Sequence, residues 1–183
     1  LFYQYCCYKP IIREEYFQVQ TGHLLITPED YWDGPDARQT IQLRWEHFPA
    51  DWVLHNSFGP DTSQLVALTS SEFSVGVLVG GDFRRFKFEV KGQPVYLLTR
   101  GKWSQFSDDT LMNLLRCTVE GHRSFWNDFG DTIYTITFLP IQDAPWNKNS
   151  RAASVGGSSL TNSFMSFATD NPGVNFNLIR YVW

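Results

Sequence analysis

The chain lacks a run of 18 apolar residues, so no segment is suited to cross a bilayer as a helix. Its opening "LFYQYCCYKP" lacks the basic start and small-residue cleavage site of a secretory leader, and reads as a chain from which a leader or tag is already gone. Cysteine is scarce. Cys6, Cys7 and Cys117 are too few for a disulfide framework, and an odd count leaves one over, so buried free thiols are expected. Neither a Cys-x-x-Cys pair nor an Asn-x-Ser/Thr sequon occurs. There is no excess of basic charge: the net charge is −4, which argues against a nonspecific nucleic-acid binder.

Reactive motifs are missing as well. His23, His47, His55 and His122 form neither His-Glu-x-x-His nor a His-x-x-x-His pair that would put two imidazoles on one helical face. No Gly-x-Ser-x-Gly elbow, phosphate-binding loop or Gly-x-Gly-x-x-Gly turn is present. The acidic pairs Glu14/Glu15, Glu29/Asp30 and Asp108/Asp109 are sequence neighbours, whereas glycosidase carboxylates must flank a bond from two sides. The motifs therefore assign no catalytic residue and no metal ligand.

What is abundant is aromatic and apolar bulk. Hydrophobic residues make up 43% of the 183, with 7 Trp and 15 Phe, enough to bury a real core. The first hundred residues read as strands. In "QTIQLRWEHF", Ile41, Leu43 and Trp45 alternate with Gln42, Arg44 and Glu46, the pattern of a half-buried strand. "EFSVGVLVGG" aligns Phe73, Val75, Val77 and Val79. "RRFKFEVKG" sets Phe86, Phe88 and Val90 against Arg85, Lys87 and Glu89. Its interleaved basic and aromatic residues would suit nucleic-acid stacking, but an amphipathic strand explains them more simply. Short strands separated by turn signals such as "FGPDTS" and "KGQP" point to an antiparallel sandwich or bent sheet.

The period then changes. In "SDDTLMNLLRCTVEGHRSFWNDFG" the residues Leu111, Leu114, Leu115, Val119, His122, Phe125 and Trp126 recur at helical spacing, predicting a helix over 107–127. Ser107 suits the N-cap, Asp108 and Asp109 the positive end of the dipole, and Gly130 the stop. His122, on the apolar face, is expected to be a packed core histidine. "TIYTITFLPI" is apolar on both faces, as a central strand of a covered sheet would be. The expected organisation is a β-domain over 1–104 and a second part over 105–183, with strands at about 132–141 and 158–168. So few residues close an α/β core poorly, so the chain reads as cut.

The segment "VGGSSLTNSFMSFATDN" (155–171) has no strong nucleophile and no good metal ligand. On its own it is an ordinary strand after a glycine turn. The ordered set "WEHFPADWVLHNSFG", "GGDFRRFKFEVKGQPVYLLTRGKW", "LLRCTVEGHRSFWNDFGDTIYTITFLPI" and "VGGSSLTNSFMSF" resembles the glycyl-aminopeptidase family of thermolysin-like (gluzincin) zinc metallopeptidases over nearly the whole chain. The resemblance implies an antiparallel β-sandwich or bent-sheet N-terminal domain followed by the incomplete α/β beginning of a thermolysin-like catalytic domain. It implies that Gly156–Phe167 is the cleft-edge strand, with Gly156, Gly157, Ser158, Ser159 and Leu160 along the substrate backbone. The glycines would let a peptide come close, and the unpaired edge would accept it as an added strand. Zinc would belong to the full-length parent, whose zinc helix would follow "NLIRYVW".

Two departures stand out. Ser159 occupies the position where the family usually carries a glutamate that holds the substrate amine, and none of the zinc ligands lies within the 183 residues. By itself the chain is expected to be non-catalytic, with a peptide as the parent's substrate and no nucleic-acid partner. Self-association is expected through an apolar surface left exposed. The alternative is a non-enzymatic β-sandwich module that grips a peptide or a carbohydrate through exposed aromatics.

Overall fold

The computed structural model describes residues 10–25, 34, 37–130, 132–141, 154–170, 173–174 and 176–179. Cys6, Cys7, residues 142–153 and the residues from 180 onward lie outside these. The chain forms two compact units, residues 1–83 with 159–163, and residues 84–158 with 164–183.

In the first unit, strands β1 (Ile11–Ile12), β2 (Tyr16–Gln20), β4 (Val53–Asn56) and β6 (Val77–Gly81) form an antiparallel sheet in the order β1-β2-β6-β4. Strands β3 (Gln39–Arg44) and β5 (Ser63–Leu68) pair separately, Gln39 opposite Leu68 and Arg44 opposite Ser63. Val19, Val77 and Val79 are fully or almost fully buried in this unit. Phe17, Trp45, Phe48 and Trp52 gather with ring centroids 5.6–6.1 Å apart. The aromatic residues of "WEHFPADW" thus gather around Phe17 of β2.

Two short helices, α1 (Thr21–Leu24) and α2 (Ser70–Ser74), complete the unit. The second one interrupts the strand suggested by Phe73, Val75, Val77 and Val79, and β6 starts only at Val77. The reason is local. Thr69 accepts a hydrogen bond from the Glu72 amide at 3.2 Å, and the Glu72 carboxylate accepts one from the Thr69 amide at 2.8 Å. This reciprocal capping box nucleates a turn that alternation alone would not reveal. The signal was present in "TSSE".

The Thr69 amide, helped by the Arg38 guanidinium 2.7 Å away, holds the Glu72 carboxyl below the ordinary glutamate value, against the opposing effect of partial burial. Because the folded value lies below the unfolded one, Glu72 stabilises the fold fully above the ordinary glutamate value and loses that contribution as pH falls through the lowered one. Thr69→Ala is expected to cost about 1 kcal/mol. Glu72→Gln should remove this part of the acid-side dependence in urea melts between pH 3 and 6, and an unchanged pH profile would refute the assignment.

In the second unit, β7 (Arg84–Val90), β8 (Gln93–Thr99), β9 (Tyr134–Ile141), β10 (Val155–Leu160) and β11 (Ser163–Thr169) make a sheet in the order β10-β11-β9-β8-β7. Strands β7 and β8 form a tight antiparallel hairpin, with Lys91 at φ 49° and Gly92 at φ 81°, the two left-handed residues of a type I′ turn. These strands, grouped by the sequence with residues 1–104, share a sheet with β9. Strand β8 runs parallel to β9 and reaches it through helix α3 (Asp108–Trp126), a βαβ crossover.

Ser107 caps α3 by accepting from the Thr110 amide at 3.2 Å. Arg84 grips Asp108 through two bonds, 2.7 and 3.0 Å, and gives a third to the Gly101 carbonyl at 2.7 Å. Leu111, Leu115 and Val119 face a core that includes Val95, Leu97, Ile136 and Phe138. Trp103 stacks on Phe138 at 4.4 Å.

Three expectations are corrected. The buried stripe of α3 runs Leu111, Leu115, Val119 and Arg123, spaced four apart, so Arg123 rather than His122 is buried and His122 is exposed. The helix ends at Asn127 in the left-handed conformation (φ 51°), three residues before Gly130. Cys117 is exposed instead of buried, because it lies off that stripe. A last short helix, α4, spans Phe176–Ile179.

Candidate functional site: an edge hairpin

The stretch suggested as one strand over 158–168 is a hairpin. Asn162 takes φ 48° in a two-residue turn, and the Thr169 amide donates to the Ser154 carbonyl at 2.8 Å at the open end. Both facts give one antiparallel register, with Gly156 opposite Phe167 and Ser158 opposite Met165. Strand β10 is terminal in the sheet, and β11 lies between β10 and β9. Only the first half of Gly156–Phe167 is thus an edge, and no other described strand pairs with its outer side.

The five candidate residues all lie on β10. Gly156, Gly157 and Ser158 belong to the second unit, Ser159 and Leu160 to the first. Gly157 and Ser159 are exposed, and Ser158 is buried. The glycines have a reason inside the hairpin. A Cβ on Gly156 would sit 2.6 Å from the Phe167 ring. One on Gly157 would meet the Phe164 ring and come 2.9 Å from the Met165 carbonyl. Aromatic rings of β11 lean across the places where β10 has no side chain. Chemically, the edge offers main-chain donors and acceptors, one exposed hydroxyl and no acid or base.

A concavity of about 190 Å³ lies in the second unit at the end of α3, lined by Val119, His122, Arg123, Trp126, Asp128 and Tyr134. The Arg123 guanidinium carbon is 5.8 Å from the Tyr134 ring centroid. Sequence patterning missed it because an arginine on the buried stripe breaks the apolar period. Among the described residues no group of three or more His, Cys, Asp or Glu side chains is placed to hold a metal ion. They do not fit a zinc centre.

No family model and no curated protein matches the sequence. The fold, however, does match a solved structure. A crystal structure of an aminopeptidase N family protein from Idiomarina loihiensis superposes on 91% of this chain at a TM-score of 0.67 and 13% identity. The chain has the fold of that part. It spans only 27% of the Idiomarina chain. Weaker similarities are to Legionella pneumophila aminopeptidase A in complex with aspartic acid (TM-score 0.44, 14% identity, 86% of this chain, 19% of that one) and to the M1 zinc metallopeptidase from Deinococcus radiodurans (0.39, 13%, 91% and 38%). The fold is therefore mainly β, with antiparallel pairing throughout the first unit and in the β7–β8 hairpin, and a parallel β8–β9 pair.

Proposed function

We propose that the chain is the N-terminal, by itself non-catalytic portion of a zinc metallopeptidase of the glycyl-aminopeptidase, thermolysin-like kind. It supplies the β-domain and the opening of the catalytic domain, and zinc belongs to the parent protein. Gly156, Gly157, Ser158, Ser159 and Leu160 line the cleft edge and take the substrate's backbone as an added strand. The observation that carries this reading is the terminal position of β10 in its sheet, with β11 on one flank. The same proposal includes self-association through exposed apolar surface, for which Phe125 and Trp126, 79% and 74% exposed, are the candidates.

An alanine-rich tetrapeptide is the probe, in free-amine and acetylated forms. Both forms should slow amide exchange in β10 equally, because Ser159 carries no charge to tell them apart. Unchanged exchange in β10 at millimolar peptide overturns the reading. The competing reading, a non-enzymatic module binding a peptide or carbohydrate, draws on the cluster of Phe17, Trp45, Phe48 and Trp52, in which Phe48 is 38% exposed. Quenching of tryptophan fluorescence by oligosaccharides, with no response to the tetrapeptide, would favour it.

A further inference from the structure

We infer that Thr161, Ser163 and Ser57 are positioning residues that fix the Ser159–Leu160 end of β10; this rests on the docking reading above. A hairpin tip is ordinarily where a sheet frays. Here the tip is tied down within the first unit. The Thr161 amide donates to the Val75 carbonyl at 3.2 Å and its hydroxyl to the Glu72 carbonyl at 2.8 Å. A helix as short as α2 leaves its last carbonyls without partners along the helix, and Thr161 supplies one to Glu72. The capping box that creates α2 thereby also sets the height of the anchor.

The second tie is buried. The Ser57 and Ser163 hydroxyls lie 2.9 Å apart, both fully buried. Ser57 Oγ also accepts from the Val77 amide at 2.7 Å, and Ser163 Oγ donates to the Thr161 carbonyl at 3.0 Å. Hydroxyls at these positions contribute nothing to the strand ladder itself. They bond the residues just after Leu160 to α2 and to the start of β6. Ser159, at the position implied to meet the substrate's amino end, is two residues from the first anchor. Its placement is set by the frame of the first unit and not by the hairpin alone.

Thr161→Val keeps the shape and removes the hydroxyl; Ser163→Ala tests the second tie, and Thr161→Ser is the conservative rescue. In hydrogen exchange, Thr161→Val should raise exchange at the inward amides of Ser158 and Leu160 about tenfold while β2 and β6 stay unchanged. Affinity for the free-amine tetrapeptide should fall about tenfold, and Thr161→Ser should restore both. If the unsubstituted chain binds the peptide and the variants bind it equally well, the positioning role is wrong and the docking reading stands. If the unsubstituted chain binds no peptide, the docking reading fails. Exchange at Ser158 and Leu160 then decides the anchoring alone, and equal exchange in all variants overturns that too.

Discussion

Phe138→Ala is expected to lower the stability of the second unit by about 3–5 kcal/mol, the range for deleting a fully buried phenylalanine. Phe138 is completely buried on β9, the middle strand of its sheet. Its ring stacks on Trp103 at 4.4 Å and lies 6.2 Å from Phe106. Truncation strands both neighbours beside a cavity that β9, paired on each side, cannot close by moving. Urea unfolding followed by tryptophan fluorescence should show the midpoint falling with the slope retained. A loss below about 1.5 kcal/mol would mean that the site collapses freely and that the stacked trio is not a core element.

Gly157→Val should disrupt the hairpin, at a cost of about 1–3 kcal/mol for overpacking. The added side chain would run into the Phe164 ring and the Met165 carbonyl. The informative experiment is the double variant. If Gly157 is glycine because Phe164 covers it, Phe164→Ala should relieve much of the Gly157→Val penalty, giving a favourable coupling in a double-mutant cycle. If Gly157 is glycine because a docked peptide needs the space, the two changes should add in stability, and peptide binding should be lost in Gly157→Val whatever stands at 164. Strict additivity would overturn the packing explanation. Both reasons can hold for the two faces of one strand, and the cycle separates them.

In the proposed docking role, the position of β10 carries more weight than its side chains do. An edge strand acts through its backbone, so a segment built from glycine and serine is adequate for docking, although it is unfit for chemistry. That is why a motif search is silent over 155–160 and topology is not.

Much of this was legible in the residues. Alternation in "QTIQLR" and "RRFKFEV" was enough to define β3 and β7, because each solvates one face and covers the other, partly in β3 and more fully in β7. "TIYTITFLPI" announced a middle strand by being apolar on both faces. Ser107 followed by two aspartates marked the start of α3, since capping is a contact between near neighbours. Other features were decided only in three dimensions. Arg123 takes a place on the buried stripe that hydropathy would assign to His122 or Trp126, because what a helix buries depends on what packs against it. The edge position of β10, and the place of β11 beside β9, depend on partners far along the chain. So does the anchoring of Thr161 and Ser163 by Glu72, Val75 and Ser57, roughly ninety residues or more away. Periodicity and caps are local quantities that the chain writes into its own order, whereas pairing, edges and anchors come into being only when distant residues meet.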